Sequence, residues 1–501
     1  MFSNLFETLL IKFHWLFVIL FLIPLSIIYS VYESLKNKLS FFKENSYKAH
    51  DLKIKEIQDQ IKRRNQTDPK KRMCTGRPGW KAMSFRSGLY KNQLWNVDLS
   101  KLTSIFHIDR EKKLVFVEPL VNMKQLTSML NPLGLTVPVL PELDDLTVGG
   151  LIMGMGIESQ SYRYGLFQHC CEYFDIILAS GELVRCSKEE NSELFYSVPG
   201  SYGTLGFLVA VAIRIIPAKK YVKVQYLPLQ NLDDLEKILM HETQKDSDLD
   251  FIEAIVYSPH KAVIIKGKME DECKPERKNS IGYFWKPWFY KHVEKKLDSN
   301  ESLEEYIPIQ DYYHRYSRGI FWEMNDIIPF GNHPFFRYLL GWSLPIKISL
   351  IKRAQIPTLK KLYEKHHILQ DMIVPISDLK QSLLFFDHKI AVYPIWLCPV
   401  QLPNLPGMLN LKENKSRMYV DIGVYGNVHL PSYQALETIR EIEKFVRERT
   451  GFQMLYADCY MNQEEFQEMF DHTLYKKMRA LYECENAFPE VYDKINIHAR
   501  S

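Results

Sequence analysis

Thr147-Val148-Gly149-Gly150-Leu151-Ile152-Met153-Gly154-Met155-Gly156-Ile157-Glu158-Ser159 is the stretch on which the reading of this chain turns. Four glycines fall within eight residues. Glycine accepts positive φ and, lacking a Cβ, lets backbone N–H groups close on an anionic group. A pyrophosphate needs such a cradle, and Thr147, Ser159 and Ser161 add hydroxyl donors to it. No Gly-Lys-Ser/Thr follows, so the segment is not a P-loop, and its spacing is not the G-x-G-x-x-G of a Rossmann unit. Taken bare, the run equally suits a tight turn in a small-residue packing site.

The flanks give it context. Residues 114–119 (LVFVEP) read as a buried strand, and residues 123–133 as a helix with Leu126, Met129, Leu130 and Leu133 on one face. Residues 136–140 are strand-like and end at Pro141. After the glycines come Tyr164-Gly165-Leu166, then the strand 174–179 (FDIILA), closed by a Ser180-Gly181 turn into residues 182–186: a β-hairpin. Ser201-Tyr202-Gly203-Thr204-Leu205-Gly206 then leads into the apolar strand 207–216, stopped by Pro217. Strands and helices interleave with hairpins, so the class is α+β rather than a regular doubly wound sheet. Beyond residue 218 further strands (221–227, 254–257), three aromatic stretches (285–290, 312–316, 393–396), the first and last with a proline, and a helix at 436–449 follow.

Composition narrows the classes. Over 501 residues, 46% are hydrophobic and 25% charged, which is ordinary for globular domains. Sixty-four basic against 60 acidic residues leave a net charge of +4, too little to point to nucleic acid. Eight cysteines with no C-x-x-C and no zinc spacing read as free thiols in a reducing compartment, and no metal site is expected.

Residues 13–32 carry no charged side chain, between Lys12 and Glu33. As a helix they span roughly 30 Å, the thickness of a bilayer core. Trp15, Tyr29 and Tyr32 lie near the ends, where amphipathic rings favour the interface. Lys36, Lys38, Lys43 and Lys48 follow the run while Lys12 precedes it, so the positive-inside rule places the bulk of the chain in the cytosol. The next stretch is polar and lysine-rich, with Ile54, Ile57 and Ile61 at helical spacing. That stripe suits either the membrane or the next domain. The expected organisation is an anchor (1–33), a polar helical linker (34–72), a cofactor domain (73–217) and a substrate domain (218–501) whose C-terminal segment can return to the cofactor.

The order of elements around the glycines resembles the FAD-binding domain of the vanillyl-alcohol oxidase / p-cresol methylhydroxylase superfamily, with its two subdomains and α+β cap. There the TVGG loop, the Tyr-Gly element, the hairpin and the Gly-Thr-x-Gly loop line the flavin. Val117-Glu118-Pro119 matches an upstream strand, and Cys74-Thr75-Gly76-Arg77-Pro78-Gly79-Trp80 sits where the first pyrophosphate loop belongs. Longer strings, among them CTGRPGW, PVLPELDDLTVGGLIMG, IESQSYRYGLFQH, YPIWLCP and GFQMLYADCYMN, resemble the delta-24 sterol reductases of cholesterol and plant-sterol synthesis. This likeness runs nearly end to end. One departure is Pro199-Gly200-Ser201-Tyr202, where those reductases read Pro-Trp-Ser.

The resemblance implies non-covalent FAD on residues 147–159, Arg77, Pro78, Gly79, Gly203, Thr204 and Gly206, with NADPH as reductant. It implies a sterol substrate of the desmosterol type and a single-pass protein of the endoplasmic reticulum membrane, with the Golgi membrane as a second location. An isolated alkene is a poor hydride acceptor, so an acid must protonate carbon 24, leaving positive charge on tertiary carbon 25 for hydride from reduced flavin. The residues leave that acid open among Glu158, His314, Tyr393, Tyr456 and Asp458. Two other functions stay open: a flavin oxidase of the same superfamily, and a catalytically altered sterol-binding paralogue. Oligomeric state is not given by the sequence.

Overall fold

Phe207–Arg214 is apolar at all but its last position, and the eight-residue run is buried on both faces, the signature of a central strand. In the computed structural model, which describes residues 13, 15–32, 46–82, 88–298, 303–354, 357–411 and 417–500, it is the middle strand of a five-stranded antiparallel sheet. With β1 (Ile105–Asp109), β2 (Leu114–Val117), β3 (Cys171–Ile177), β4 (Leu183–Ser187) and β5 (Phe207–Arg214), the order is β1-β2-β5-β3-β4. β3 and β4 form the hairpin read from the sequence, pairing Phe174 with Cys186 and Ile177 with Leu183.

Helix α1 (Tyr47–Thr67) lies on this sheet. Its Ile54, Ile57 and Ile61 are buried, Gln58 and Asn65 donate to the carbonyls of Gly181 and Ala179, and Lys53 and His50 close on the buried Glu118 at 3.0 and 2.8 Å. The apolar stripe therefore faces the body of the protein, and this part of the polar stretch is a docked helix rather than a free tether. Helix α2 (Met123–Leu130) starts at an Asn122/Gln125 capping box and stops short of 133, because Asn131-Pro132-Leu133 tightens into a 3-10 turn. Of the 136–140 run only Thr136 pairs, in a short strand with Leu135; Pro138 within the run and Pro141 after it lack the N–H a ladder requires.

The second layer is an eight-stranded sheet. Its strands are β6 (Tyr221–Leu229), β7 (Phe251–Ser258), β8 (Lys261–Glu270), β9 (Leu303–Pro308), β10 (His367–Pro375), β11 (Ile395–Leu402), β12 (Arg417–Asn427) and β13 (Phe452–Gln453), in the order β9-β6-β8-β7-β11-β12-β10-β13. The two sheets meet through the end of the glycine segment, where the Ile252 N–H donates to the Ser159 carbonyl at 2.9 Å.

The C-terminal helices, including Thr473–Leu481 and Val491–Ile495, return to the five-stranded layer. Arg479 donates to the Thr204 carbonyl at 2.8 Å, Tyr475 bonds the Thr204 hydroxyl at 2.7 Å, and Phe488 packs edge-on against Phe207. At the other terminus Trp15–Tyr32 is long and apolar enough to cross a membrane. Phe17, Leu20, Phe21, Leu25, Ile28 and Val31 are exposed along it. Lys12, Lys36, Lys38 and Lys43, which set the expected orientation, lie outside the described residues.

Candidate functional site

The glycine segment is not a loop: Val148–Gly154 forms a short helix, α3, whose Thr147 cap accepts the Gly150 N–H. Space around the glycines divides their roles. A Cβ on Gly149 would lie 2.8 Å from the Cβ of Pro119, so Gly149 is required for close packing. A Cβ on Gly150 would meet only the Thr147 hydroxyl, at 3.1 Å, and Gly150 is exposed. Val148, Leu151, Ile152, Met155 and Ile157 all turn into the core. The open part of the segment is thus its N-terminal end.

That end is basic. Arg77 reaches the Thr147 hydroxyl at 3.5 Å. Lys91, which the sequence reading passed over, donates to the Thr75 carbonyl, the Thr75 hydroxyl and the Arg77 carbonyl at 3.1, 3.2 and 2.7 Å, all neutral oxygens. Burial depresses its pKa. Lys352 donates to the Gly79 carbonyl at 2.8 Å, so Pro78 and Gly79 form part of the same basic wall.

The opposite end of the segment is acidic and dry. Glu158 is fully buried; its Oε1 accepts from Arg315 at 2.5 Å and from the Ser159 N–H at 2.7 Å. Glu142 sits against it. Burial and the adjacent Glu158 charge push the Glu142 pKa well above the carboxylate range. Arg315 also donates to Glu253 on β7 at 2.8 Å, and Glu253 further accepts from Tyr316 and Trp396 at 3.0 and 2.7 Å.

Glu253 begins a row of polar groups on the inner face of the larger sheet. Cys398 on β11 is paired with Asp421 on β12, and β12 is paired with β10 so that Asp421 opposes Ile373 and Gly423 opposes Asp371. Residues two apart on a strand share a face, so Asp371 and Asp421 are diagonal neighbours. Both are completely buried. Among the described residues neither meets a cation. The Tyr425 hydroxyl donates to Asp371 Oδ1, over Gly423, whose Cβ would strike both groups. The Tyr456 hydroxyl faces the same carboxyl, and Tyr456 itself packs against Gly154, the last residue of α3, 3.5 Å from where a Cβ would be. Burial raises both aspartates. Asp371 is pushed up to about 6, tempered by Tyr425, Tyr456 and Asp421, and Asp421 goes well above the usual range, further lifted by Asp371.

Residues 71–187 match the FAD binding domain family. The delta(24)-sterol reductase of Homo sapiens is 52% identical, over 99% of this chain and 95% of its own length. The Caenorhabditis elegans homolog is 43% identical over 98% and 95%, and the Arabidopsis thaliana reductase 38% identical over 97% and 91%. The chain belongs to the delta(24)-sterol reductase family. It carries the FAD-binding domain of that family, and the basic end of α3 fits the cofactor: Lys91 is a part-buried cation whose hydrogen bonds, among the described residues, go to neutral oxygens, and Gly150 is exposed in the first turn of the helix.

The remaining family motifs fall in different places. In the Ser201–Gly206 loop, Thr204 and Gly206 are buried and Thr204 is held by the C-terminal helices, leaving Gly203 and Tyr202 part-exposed. Tyr202 donates to the Leu455 carbonyl at 2.7 Å, beside Tyr456. At Gly200, where the family was expected to carry tryptophan, φ is +78° and Met155, Leu455 and Met408 fill the space a side chain would need.

Of the expected acids, Glu158 and Tyr456 lie at the acidic end of α3. His314 does not. It bridges Asp144 at 2.9 Å and Thr127 at 2.8 Å, pinning α2 to the 309–317 segment. Burial opposes the Asp144 charge, but the His314 bond and charge outweigh it and hold that pKa low. Tyr393 donates to Asp387 at 2.9 Å. The Asp458 carbonyl accepts from Gln370 and Gln453.

Glu142, Glu253, Asp371, Asp421 and Tyr425 were missed. Their signal was present: a carboxylate inside an otherwise apolar strand, as in FIEAIVY, ILQDMIVP and YVDIGVY, demands a reason.

Proposed function

We propose that this chain reduces the carbon 24–25 double bond of a sterol side chain, with non-covalently bound FAD and with NADPH as the source of reducing equivalents. The observation that carries this reading is the cluster of buried, proton-retaining carboxyls against the C-terminal end of α3, in a chain 52% identical to the human delta(24)-sterol reductase. Alkene reduction needs such an acid held protonated in a dry site.

Arg77, Lys91 and the N–H of Gly150 would hold the FAD pyrophosphate, with residues 147–159, Pro78, Gly79, Gly203, Thr204 and Gly206 forming the walls around it. When bound, FAD supplies the hydride for carbon 25. The part-exposed Tyr456, between α3 and Asp371, presents a proton to carbon 24. Arg163 and Arg185 are engaged with Asp250 and Asp175.

The sterol reaches the site from a membrane. Beside the N-terminal helix, Trp15 packs edge-on against Phe330, and Phe335, Tyr338, Leu339 and Trp342 stand exposed on the adjoining 334–343 segment. These suit an apolar surface resting on the bilayer next to the anchor. We place the protein in the endoplasmic reticulum membrane with its bulk in the cytosol. The test is to incubate the purified full-length protein with NADPH and a sterol bearing the 24,25-double bond. Flavin bleaching and a saturated side chain are expected; hydrogen peroxide formed from a soluble substrate, with no sterol reduced, would overturn the reading.

A further inference from the structure

The larger sheet buries two carboxyls that neither its packing nor its hydrogen bonding explains. Asp371 and Asp421 are diagonal neighbours on adjacent strands at 0% exposure, and no lysine, arginine or histidine answers them among the described residues. Among the described residues both Asp421 oxygens and Asp371 Oδ2 lack a hydrogen-bond partner of good geometry, with the Ile422 N–H the backbone group that faces Asp421. Two carboxyls can hydrogen-bond one another only when one of them carries a proton. Unpaired buried charge of this kind is expensive and is found where function requires it.

We propose that Asp371 and Asp421 hold one shared proton and deliver it through the Tyr456 hydroxyl to the alkene carbon, acting as positioning residues behind Tyr456. The proposal rests on the reductive reading given above and names the origin of its proton.

The geometry sets the direction of transfer. Tyr425 is buried and fixes Asp371 from one side. Tyr456 also faces Asp371, is part-exposed, and packs against α3. It is therefore the outlet. The segment carrying it is tied to the pair, since the Met454 N–H donates to the Asp371 carbonyl at 3.0 Å. Glu142 and Cys398 are the other titratable groups facing Asp421, from the 142–145 segment and from β11, and Glu158 and Glu253 lie beyond them with Arg315. All but Arg315 are acids, so they hold the proton on the pair rather than drawing it off.

In the step, the Tyr456 O–H bond breaks as the bond from hydrogen to carbon 24 forms. The shared proton passes from the aspartate pair to the Tyr456 oxygen. The electron pair for the new bond at carbon 25 comes from the reduced cofactor named above, ultimately from NADPH. The pair, left with one more negative charge, is reloaded from water.

The experiment uses the full-length, FAD-loaded protein with NADPH and a sterol bearing the 24,25-double bond. Flavin bleaching by NADPH and single-turnover alkene reduction are followed separately across pH. Asp421→Asn is isosteric and can donate its amide to Asp371, so it preserves the packing. It should bleach normally yet reduce the alkene about a hundredfold or more slowly. The wild-type rate should fall as pH rises and the pair loses its proton, and that fall should be absent from the variant. Tyr456→Phe, which removes only the outlet hydroxyl, should show the same split between bleaching and alkene reduction. Alkene reduction within threefold of wild type in either variant, with an unchanged pH profile, would overturn the proposal. So would equal loss of both half-reactions in both variants, the mark of a structural role. A wild-type protein that NADPH does not bleach, or that bleaches but reduces no such sterol, would instead overturn the functional reading and this proposal with it.

Discussion

The two ends of the 147–159 segment lie in opposite electrostatic surroundings. Around Thr147 and Gly150 stand Arg77, Lys91 and Lys352, in a partly open site. Around Glu158 stand Glu142, Glu253, Asp371 and Asp421 with Arg315 among them, and all are buried. α3 separates the ends by about 10 Å, at 1.5 Å per residue. One short helix thus joins a place suited to a diphosphate to a place suited to keeping protons. The contrast teaches that of the four glycines only Gly150 opens to the first place, while the strand carboxylates crowd the second.

The largest effect is expected from Arg315, the cation shared by Glu158 and Glu253 at the acidic end. Arg315→Leu leaves two buried carboxylates uncompensated, and removing one partner of a buried pair costs roughly 3–5 kcal/mol. Thermal unfolding should show a loss of that size. A loss under about 1 kcal/mol would mean that these acids simply take up protons, and the two ends would differ less than proposed.

Next comes pH. Asp371, Asp421 and Glu142 have folded-state pKa values above their unfolded ones, so burial stabilises the protein less once they ionise. Their contribution is fully present below the ordinary carboxylate range and is lost as pH rises through the folded values, about 6 for Asp371 and well above the carboxylate range for Asp421 and Glu142. The melting temperature should fall between pH 5 and pH 8, by an amount on the order of 3 kcal/mol of stability. Asp421→Asn should flatten that fall. A flat wild-type profile would break the comparison.

At the basic end, Lys91→Met should weaken FAD binding about 10–100-fold, the size of a lost charge-assisted hydrogen bond. Titration of the apoprotein with FAD checks this, and unchanged affinity would move the pyrophosphate elsewhere. The smallest effect is expected between the ends. Tyr202→Phe removes one hydrogen bond to the Leu455 carbonyl and should cost about 0.5–1.5 kcal/mol in thermal unfolding.

The sequence showed the two ends unequally. Glycine density, the β3–β4 hairpin and the Thr204 loop are local patterns, so the cofactor domain and its neighbourhood were readable along the chain. α3 was taken for a loop because its glycines disfavour a helix, yet Thr147 caps it and Gly149 is held against Pro119. The acidic end is non-local: Asp371 and Asp421 become neighbours only through the β10–β12 register, and Glu142 and Arg315 arrive from elsewhere in the chain. Glu158 and Tyr456 were legible as candidates because they sit inside quotable motifs. His314 was legible too, but its partners are not local in sequence: its ring is taken up by Asp144 and Thr127.

The most direct test of the account is the origin of the hydrogen at carbon 24. The full-length protein, loaded with FAD in lipid nanodiscs, is supplied with NADPH and a sterol bearing the 24,25-double bond in D2O, and the product is read by mass spectrometry and NMR. Every saturated product should carry deuterium at carbon 24, delivered from an exchangeable acid. Protium at that carbon would contradict protonation by the buried carboxyl cluster.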